Sequence, residues 1–363
     1  MLKFKDILTI GIAVLIAGCS GDDITTGGSL ESKDYDPVGT PVQFSVGLEG
    51  KATTRAVMAD GGRFVCTMYC KASEESDYNI EPPANGGTMK TAWLQIYGSG
   101  NAKYMDYSFS DEATSLFWQN RWSHVFLALA DYNKPDNKGA KDGVTKGKLA
   151  MFPNNDKQPG DNNSYDLTRG EELTSMAGQP DPILAKTIKT PVGDPSAEEN
   201  RVTLNFEHQF AQIQVNVKNK AENNPAIDAS MITKVELLGV STEGYVTTRI
   251  NNVGEVSAAT YNNVTNDFNM FVMDTPKSGY LKSFNAIAFG HLTSIRVTWD
   301  DGSSHTSTLS VNSNLASGTK YVYNLEISRT AVTTRGDIGN RSNASEQVYI
   351  KDIEITNWPV KFE

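Results

Sequence analysis

Residues 202–218 read VTLNFEHQFAQIQVNVK. Apolar side chains first occupy Val202, Leu204, Phe206 and Phe210, then move to Ala211, Ile213, Val215 and Val217. Alternation by two marks a half-buried strand. The shift from even to odd positions exchanges the buried face, because neighbouring strand side chains point to opposite sides. Two local structures give such a shift. One is a β-bulge near Phe210; the other is a strand that bends from one sheet into another.

The same alternation recurs on both sides of this stretch. Val42, Phe44, Val46 and Leu48 alternate in PVQFSVGLEG, residues 41–50. Ile295, Val297 and Trp299 alternate in SIRVTW, and Tyr321, Tyr323, Leu325 and Ile327 in KYVYNLEI. Near the end, Val348 and Ile350 give way to Ile353 and Ile355, a second change of parity across Lys351-Asp352. Few windows carry a 3.6-residue period. Segments rich in Asn, Asp, Gly, Lys and Pro, such as 133–147 and 154–163, separate the runs. The chain is therefore predicted to be all-β, of the β-sandwich class. Residues 190–200, TPVGDPSAEEN, hold two prolines, a glycine and three acids just before the long strand. The expected division falls there, with an N-terminal domain over 37–195 and a C-terminal domain over 196–363.

The first residues read as an export signal. Lys3 and Lys5 precede an apolar run from Ile7 to Ile16. That run is too short for a spanning helix, which needs about 20 apolar residues, and has the length of a signal-peptide core. It closes on Ile16-Ala17-Gly18-Cys19, small residues before a cysteine, as a lipoprotein signal peptidase requires. Residues 1–18 are thus expected to be a lipoprotein signal peptide, with Cys19 lipidated. Each buried methylene of its acyl chains adds about 0.8 kcal/mol of membrane affinity. Residues 19–36 form a polar Gly/Ser/Thr tether. Ser20 follows the cysteine, so nothing argues for inner-membrane retention. Asp22-Asp23 resembles a short signal for export to the outer surface. The 363-residue chain has net charge −10, and about −11 once Lys3, Lys5 and Asp6 are removed. An acidic chain without basic clusters is a poor partner for nucleic acid.

Catalytic patterns are scarce. Cys66 and Cys70 sit four apart in FVCTMYC. On a strand they share a face about 13 Å apart, too far for a disulfide. Without further ligands nearby they read as buried small apolar residues rather than a metal site. His124, His208, His291 and His305 have no partner at metal-ligand spacing, and no nucleophile elbow, P-loop or dinucleotide fingerprint occurs. His208 shares the even face with Leu204 and Phe206, as a hydrogen-bonded packing residue does. No catalytic residue, cofactor or metal is expected. Trp118 and Trp122, in LFWQNRWSHVFLALA, read as a core cluster beside the strand Val125–Leu129, or alternatively as a sugar-stacking platform. Arg335-Gly336-Asp337 spells an integrin-recognition tripeptide in a segment rich in turn residues. Arg55 follows the first strand in KATTRAVMADGG, so the Arg55–Ala56 bond is a candidate for an Arg-specific protease.

Several of these features resemble the fimbrillin family, the subunits of type V pili. They are the lipobox at Cys19, the Arg55–Ala56 bond, and three landmarks. The first landmark is Asp181-Pro182-Ile183-Leu184-Ala185 followed by Phe206, His208 and Ala211; the second is ASGTKYVYNLEI; the third is the closing IKDIEITNW with Trp358. The resemblance implies two tandem transthyretin-like β-sandwich domains. It implies a lipoprotein of the outer membrane and cell surface, whose partners are other pilus subunits, the membrane through its lipid, and a host or bacterial surface receptor. Cleavage after Arg55 would release the strand Val42–Leu48 and open an apolar groove for a strand of the next subunit. Val348–Ile355 and the tail Trp358–Phe362 are the candidate donors by analogy. Only five residues follow Trp358 in this sequence, so a long donor extension is not expected unless the strands before it swing out. The alternative is a surface lipoprotein that stays unpolymerised and either binds glycan through Trp118 or Trp122 or anchors the pilus.

Overall fold

The computed structural model describes residues 38–46, 63–81, 89–97, 104–106, 116–131, 163–167, 173–192, 198–220, 227–247, 249–261, 265–300, 302–329 and 346–359. Among them there is no α-helix, and strands dominate. The fold is all-β, as predicted. In chain order the first strands are β1 (Phe44–Val46), β2 (Arg63–Cys70), β3 (Lys90–Tyr97), β4 (Tyr104–Asp106) and β5 (His124–Asp131). Next come β6 (Asn163–Asp166), β7 (Pro182–Lys189), β8 (Val202–Leu204) and β9 (Phe206–His208).

All of these except β6 form one eight-stranded sheet in the order β8-β1-β4-β3-β2-β5-β7-β9. Its two ends, β8 and β9, are halves of one extended stretch separated by Asn205 alone. The sheet therefore rolls back on itself. Phe64, Cys66, Met68, Leu94, Phe126, Ala128, Ile183, Val202, Leu204 and Phe206 fill the interior. The opposite faces of β2 and β5 are covered as well, through Val65 and Leu129 in one cluster and Tyr69, Val125 and Leu127 in another. Burial on both sides explains why these strands are apolar almost throughout rather than alternating. Cys66 and Cys70 lie on β2, and both are buried, as the sequence reading expected.

The second half of the chain supplies β10 (Ala211–Asn219), β11 (Ile232–Ser241), β12 (Glu243–Val246), β13 (Thr260–Tyr261), β14 (Thr265–Asn269) and β15 (Phe271–Val272). It ends with β16 (Lys282–Asp300), β17 (Ser304–Leu315), β18 (Thr319–Arg329) and β19 (Glu346–Asn357). Here the order is β14-β11-β16-β10-β18-β19, with β15 and β17 also on β16. β16 serves two layers. Its first part pairs with β10, and its second with β11 and β17. The turn between them is at Gly290, with φ of 88°. A Cβ there would meet the Ser241 hydroxyl at 2.8 Å, so glycine alone fits. The layers enclose Ile213, Val215, Val217, Leu237, Ile295, Val297, Trp299, Tyr323, Leu325 and Ile327. β6, β12 and β13 form a small third sheet.

The parity shift that opened the sequence reading is a change of sheet. β9 pairs with β7, whereas β10, beginning at Ala211, pairs with β16 and β18. Phe210 sits at the passage, buried against Phe289 (ring centroids 4.4 Å apart) and Tyr165 (5.7 Å). Residues 202–208 thus belong to the first sheet, downstream of the 190–200 stretch. The second shift is a bulge. Asn324 pairs with Asp352 but Leu325 with Ile350, which leaves Lys351 as the extra residue.

Gln179 joins the two halves. Its side-chain amide donates to the Ile287 carbonyl at 3.0 Å and accepts from the Ile287 N–H at 2.7 Å. It occupies the edge of β16 between the last residue paired with β15, Asn285, and the first paired with β11, Phe289. Gln179→Ala leaves both Ile287 groups buried and unsatisfied, at about 1–3 kcal/mol each. Urea denaturation of the variant is expected to show a loss of about 2 kcal/mol or more, and a neutral result would mean that water replaces the amide.

Candidate functional site

β1 is the first strand among the described residues yet lies inside the sheet. It runs parallel to β8, with Phe44 opposite Val202, Ser45 opposite Thr203 and Val46 opposite Leu204. On its other side Ser45 faces Tyr104 of β4. Backbone bonds extend the seat. Gly39 N donates to Trp118 O (3.1 Å), Trp118 N to Thr40 O (3.0 Å), Val42 N to Leu116 O (2.9 Å) and Val202 N to Gln43 O (2.8 Å). Val42 and Phe44 are buried in the roll, and Phe44 meets Phe126 edge-on at 5.6 Å. The segment is held by this pairing, by the Ser45 hydroxyl against that of Thr203 (3.1 Å), and by Val42 and Phe44 in the core.

Trp118 and His124 form the wall behind this strand. Trp118 is only 2% exposed and packs edge-on against Phe126 (5.5 Å) and His124 (4.9 Å). It presents no face to a ligand. Trp122 is half-buried, with the Arg121 guanidinium 5.4 Å over its ring, so of the two indoles it is the one open to contact. The His124 ring accepts from Gln119 N–H through Nε2 (3.3 Å) and donates through Nδ1 to Trp122 O (2.7 Å), the neutral tautomer.

A second cluster ties the end of the chain to the first sheet. His208 donates through Nδ1 to Asp181 Oδ1 at 2.9 Å, and both side chains are buried. The Trp358 indole stacks on the His208 ring at 3.7 Å and 2°. Next to it, Pro359 forms an antiparallel bridge with Glu207. The sequence placed His208 as a packing residue. It did not foresee the Asp181 partner or the Trp358 stack, because the three positions are far apart in the chain. Gln179 carried no signal at all.

Burial pushes the Cys66 thiol well above the usual cysteine range, which makes it a poor nucleophile. Among the described residues no three His, Cys, Asp or Glu side chains are grouped to hold a metal ion. Cys19, Arg55, Ala56, Arg335, Gly336 and Asp337 lie outside the described residues.

Residues 84–358 match the sequence profile of the family described as fimbrillin-like, well over half of the chain. The chain belongs to the fimbrillin-like family. Membership places it at the cell surface as a fimbrial or adhesion subunit. No curated protein matches it. Similar solved structures include a candidate cell adhesion protein of Bacteroides ovatus, with 16% identity, 88% of this chain and 98% of that one covered, and a TM-score of 0.47. Another is the C-terminally truncated tip fimbrial protein Mfa3 of Porphyromonas gingivalis, with 10% identity, 82% and 94% covered, and a TM-score of 0.38.

Within this fimbrillin-like fold, pH acts through His124. Burial pushes its ring from 6.5 down to about 4, with the bond to Trp122 O opposing. Between those values the unfolded chain binds the proton and the folded chain does not. Stability therefore falls as pH drops from about 6.5 to 4, by on the order of 3 kcal/mol. Asp181 acts with the opposite sign, since burial raises its carboxyl while His208 draws it back. Urea midpoints measured from pH 7 to 4 are expected to decline less steeply for His124→Gln than for the native chain. Parallel curves would assign the decline to other groups.

Proposed function

We propose that this protein is a structural and adhesive subunit of a type V pilus, exported as a lipoprotein through Cys19 and cut after Arg55. Release of β1 then lets a strand of the next subunit enter the roll, so that subunits join by donor-strand exchange. One observation carries the reading. β1 is seated between β8 and β4 with Val42 and Phe44 in the core, and the chain leaving it runs through residues 47–62, which contain the Arg55–Ala56 bond. Family membership supports it. An exposed sheet edge beside an apolar groove is strongly driven to accept a strand.

In this reading the two sheet systems are two transthyretin-like sandwich domains, with the passage between them at Gln209–Phe210. Acyl chains on Cys19 hold the precursor in the outer membrane. The protein works by assembly rather than catalysis, and its partners are related subunits. Contact with a surface receptor or glycan falls to Trp122 and to Arg335-Gly336-Asp337. A subunit that keeps its lipid and remains unpolymerised, as an anchor or a glycan-binding lipoprotein, is the competing reading. The half-open Trp122 beneath Arg121 is what favours a glycan.

The N-terminus and intact mass of the protein in fibres sheared from native cells separate the two. Polymerisation predicts a chain that begins at Ala56 and carries no lipid, and an Arg55→Ala strain whose fibres lack it. A chain still acylated at Cys19 and absent from sheared fibres overturns the cleavage reading.

A further inference from the structure

On the side away from the second core, β10, β18 and β19 carry a row of charged and aromatic side chains that runs across the strands. Lys218 of β10 is paired with Glu326 of β18, and Glu326 lies opposite Tyr349 of β19. Residues directly opposite in an antiparallel pair share a face. Val348 and Ile350 flank Tyr349 in the chain and pack into the second core, so Tyr349 points the other way and is 49% exposed. Beyond Lys218 the row ends on Tyr280. The centre of its ring lies 5.6 Å from the Lys218 ammonium and 5.5 Å from that of Lys277. Neighbouring strands are about 4.8 Å apart, so Lys218 and Tyr349 are separated by on the order of 10 Å.

The bulge in β19 completes this row. Lys351 is the extra residue, and a bulge re-aims its side chain. The Lys351 ammonium reaches Glu326 Oε1 at 3.7 Å, and the Lys218 ammonium meets the same oxygen at 3.0 Å. Two cations thus converge on one carboxylate, and neither uses its Oε2. The next carboxylates on this face are engaged elsewhere. Asp352 accepts from the Asn324 amide, and Glu354 accepts from the same amide at 2.9 Å and pairs with Lys277 at 2.7 Å. An exposed ion pair adds only about 0–1 kcal/mol to stability. A second lysine on Glu326 therefore contributes little to the fold. On a chain of net charge −10, it leaves one ammonium of the row in excess beside an exposed aromatic ring.

We propose that the row Tyr280, Lys218, Glu326, Tyr349 and Lys351 is a binding site for an acidic oligosaccharide whose sugars carry carboxylates. Tyr349 stacks on the C–H face of one sugar ring, because the face of an aromatic ring is electron-rich. Lys351 and Lys218 donate to the carboxylate of the neighbouring sugar, and such charge-assisted bonds are the stronger kind. Glu326 Oε2 accepts from a sugar hydroxyl. Tyr280 is a positioning residue that holds Lys218 by cation–π attraction. The glycan lies along the row, across the strands. The site is separate from Trp122, which sits in the turn before β5 of the first sheet. It depends neither on cleavage after Arg55 nor on release of β1.

The test is titration calorimetry of the full chain with a galacturonate hexamer and with its fully methyl-esterified form. Every sugar of the hexamer carries a carboxylate, so any register along the row supplies one, and esterification removes the charge alone. The acid is expected to bind about tenfold or more tightly than the ester, and less tightly as sodium chloride screens the lysines. Tyr349→Ala and Lys351→Gln are each expected to weaken binding about fivefold or more without moving the urea midpoint, since both side chains are exposed. Tyr349→Phe keeps the ring and is expected to keep the affinity, and Trp122→Ala is expected to change nothing. The inference is overturned if the acid does not bind, if the ester binds equally well, or if Tyr349→Ala and Lys351→Gln bind like the native chain. Loss of binding in Trp122→Ala also overturns it, because the ligand then sits on the first sheet. A fibre protein that begins before Ala56 would sink the cleavage reading and leave this result untouched.

Discussion

A sheet that rolls closed needs one strand able to pair at both ends of the order, and Val202–His208 is that strand. Its first half takes β1 and its second half takes β7, with Asn205 between. Val202, Leu204 and Phe206 point inward along the whole stretch, so the closure is also the packing of the core. Phe206 meets Phe64 edge-on at 5.5 Å, which links the closing strand to β2 on the far side of the roll. Closure removes the unpaired edges that make sheets aggregate. The cost is that one of the pairings depends on β1, which enters from the start of the chain.

That dependence is confined to one core. Val42 and Phe44 belong to the cluster formed by residues up to Phe206, whereas every residue of the second cluster lies at or beyond Ala211. Burying a Val or Phe side chain is worth about 1.5–3 kcal/mol, so the two anchors of β1 approach the net stability of a small domain, about 5–15 kcal/mol. Losing β1 would therefore weaken the roll strongly, while the sheets from β10 onward keep their interior. Phe210, Phe289, Tyr165 and the Gln179 amide hold the two parts together through contacts that do not include β1.

Local pattern carried much of this fold and none of its order. Alternation located β1, β16 and β18, and the two changes of parity marked the passage at Phe210 and the bulge at Lys351. The parity rule cannot distinguish a bulge from a change of sheet, because both flip the buried face. Only the partners of β9 and β10 decide it. The insertion of β1 between β8 and β4 is a contact across about 160 positions, invisible to any local window. The Asp181–His208 pair and the bidentate Gln179 are equally long-range. A buried carboxylate or amide looks like any surface polar residue until its partner is known. Trp118 and Trp122 differ in exposure although they sit four apart. Trp118 is bonded to the β1 segment and faces the roll, whereas Trp122 sits in a turn held by the Asn120 side chain.

Of the two C-terminal stretches named as candidate donors, β19 alone lies wholly within the described residues, and it is firmly held. β19 is paired with β18 along its whole length, from Glu346 to Asn357, and places Val348 in the second core. Its edge is guarded by the Lys351 bulge and by Asp352 and Glu354. Both carboxylates accept from the Asn324 amide, and Glu354 also pairs with Lys277 at 2.7 Å. Ile353 and Ile355 share the face of Tyr323 and Tyr321, yet remain 46% and 62% exposed. Peeling β19 away would break a full ladder and a buried polar network, and would open a second core.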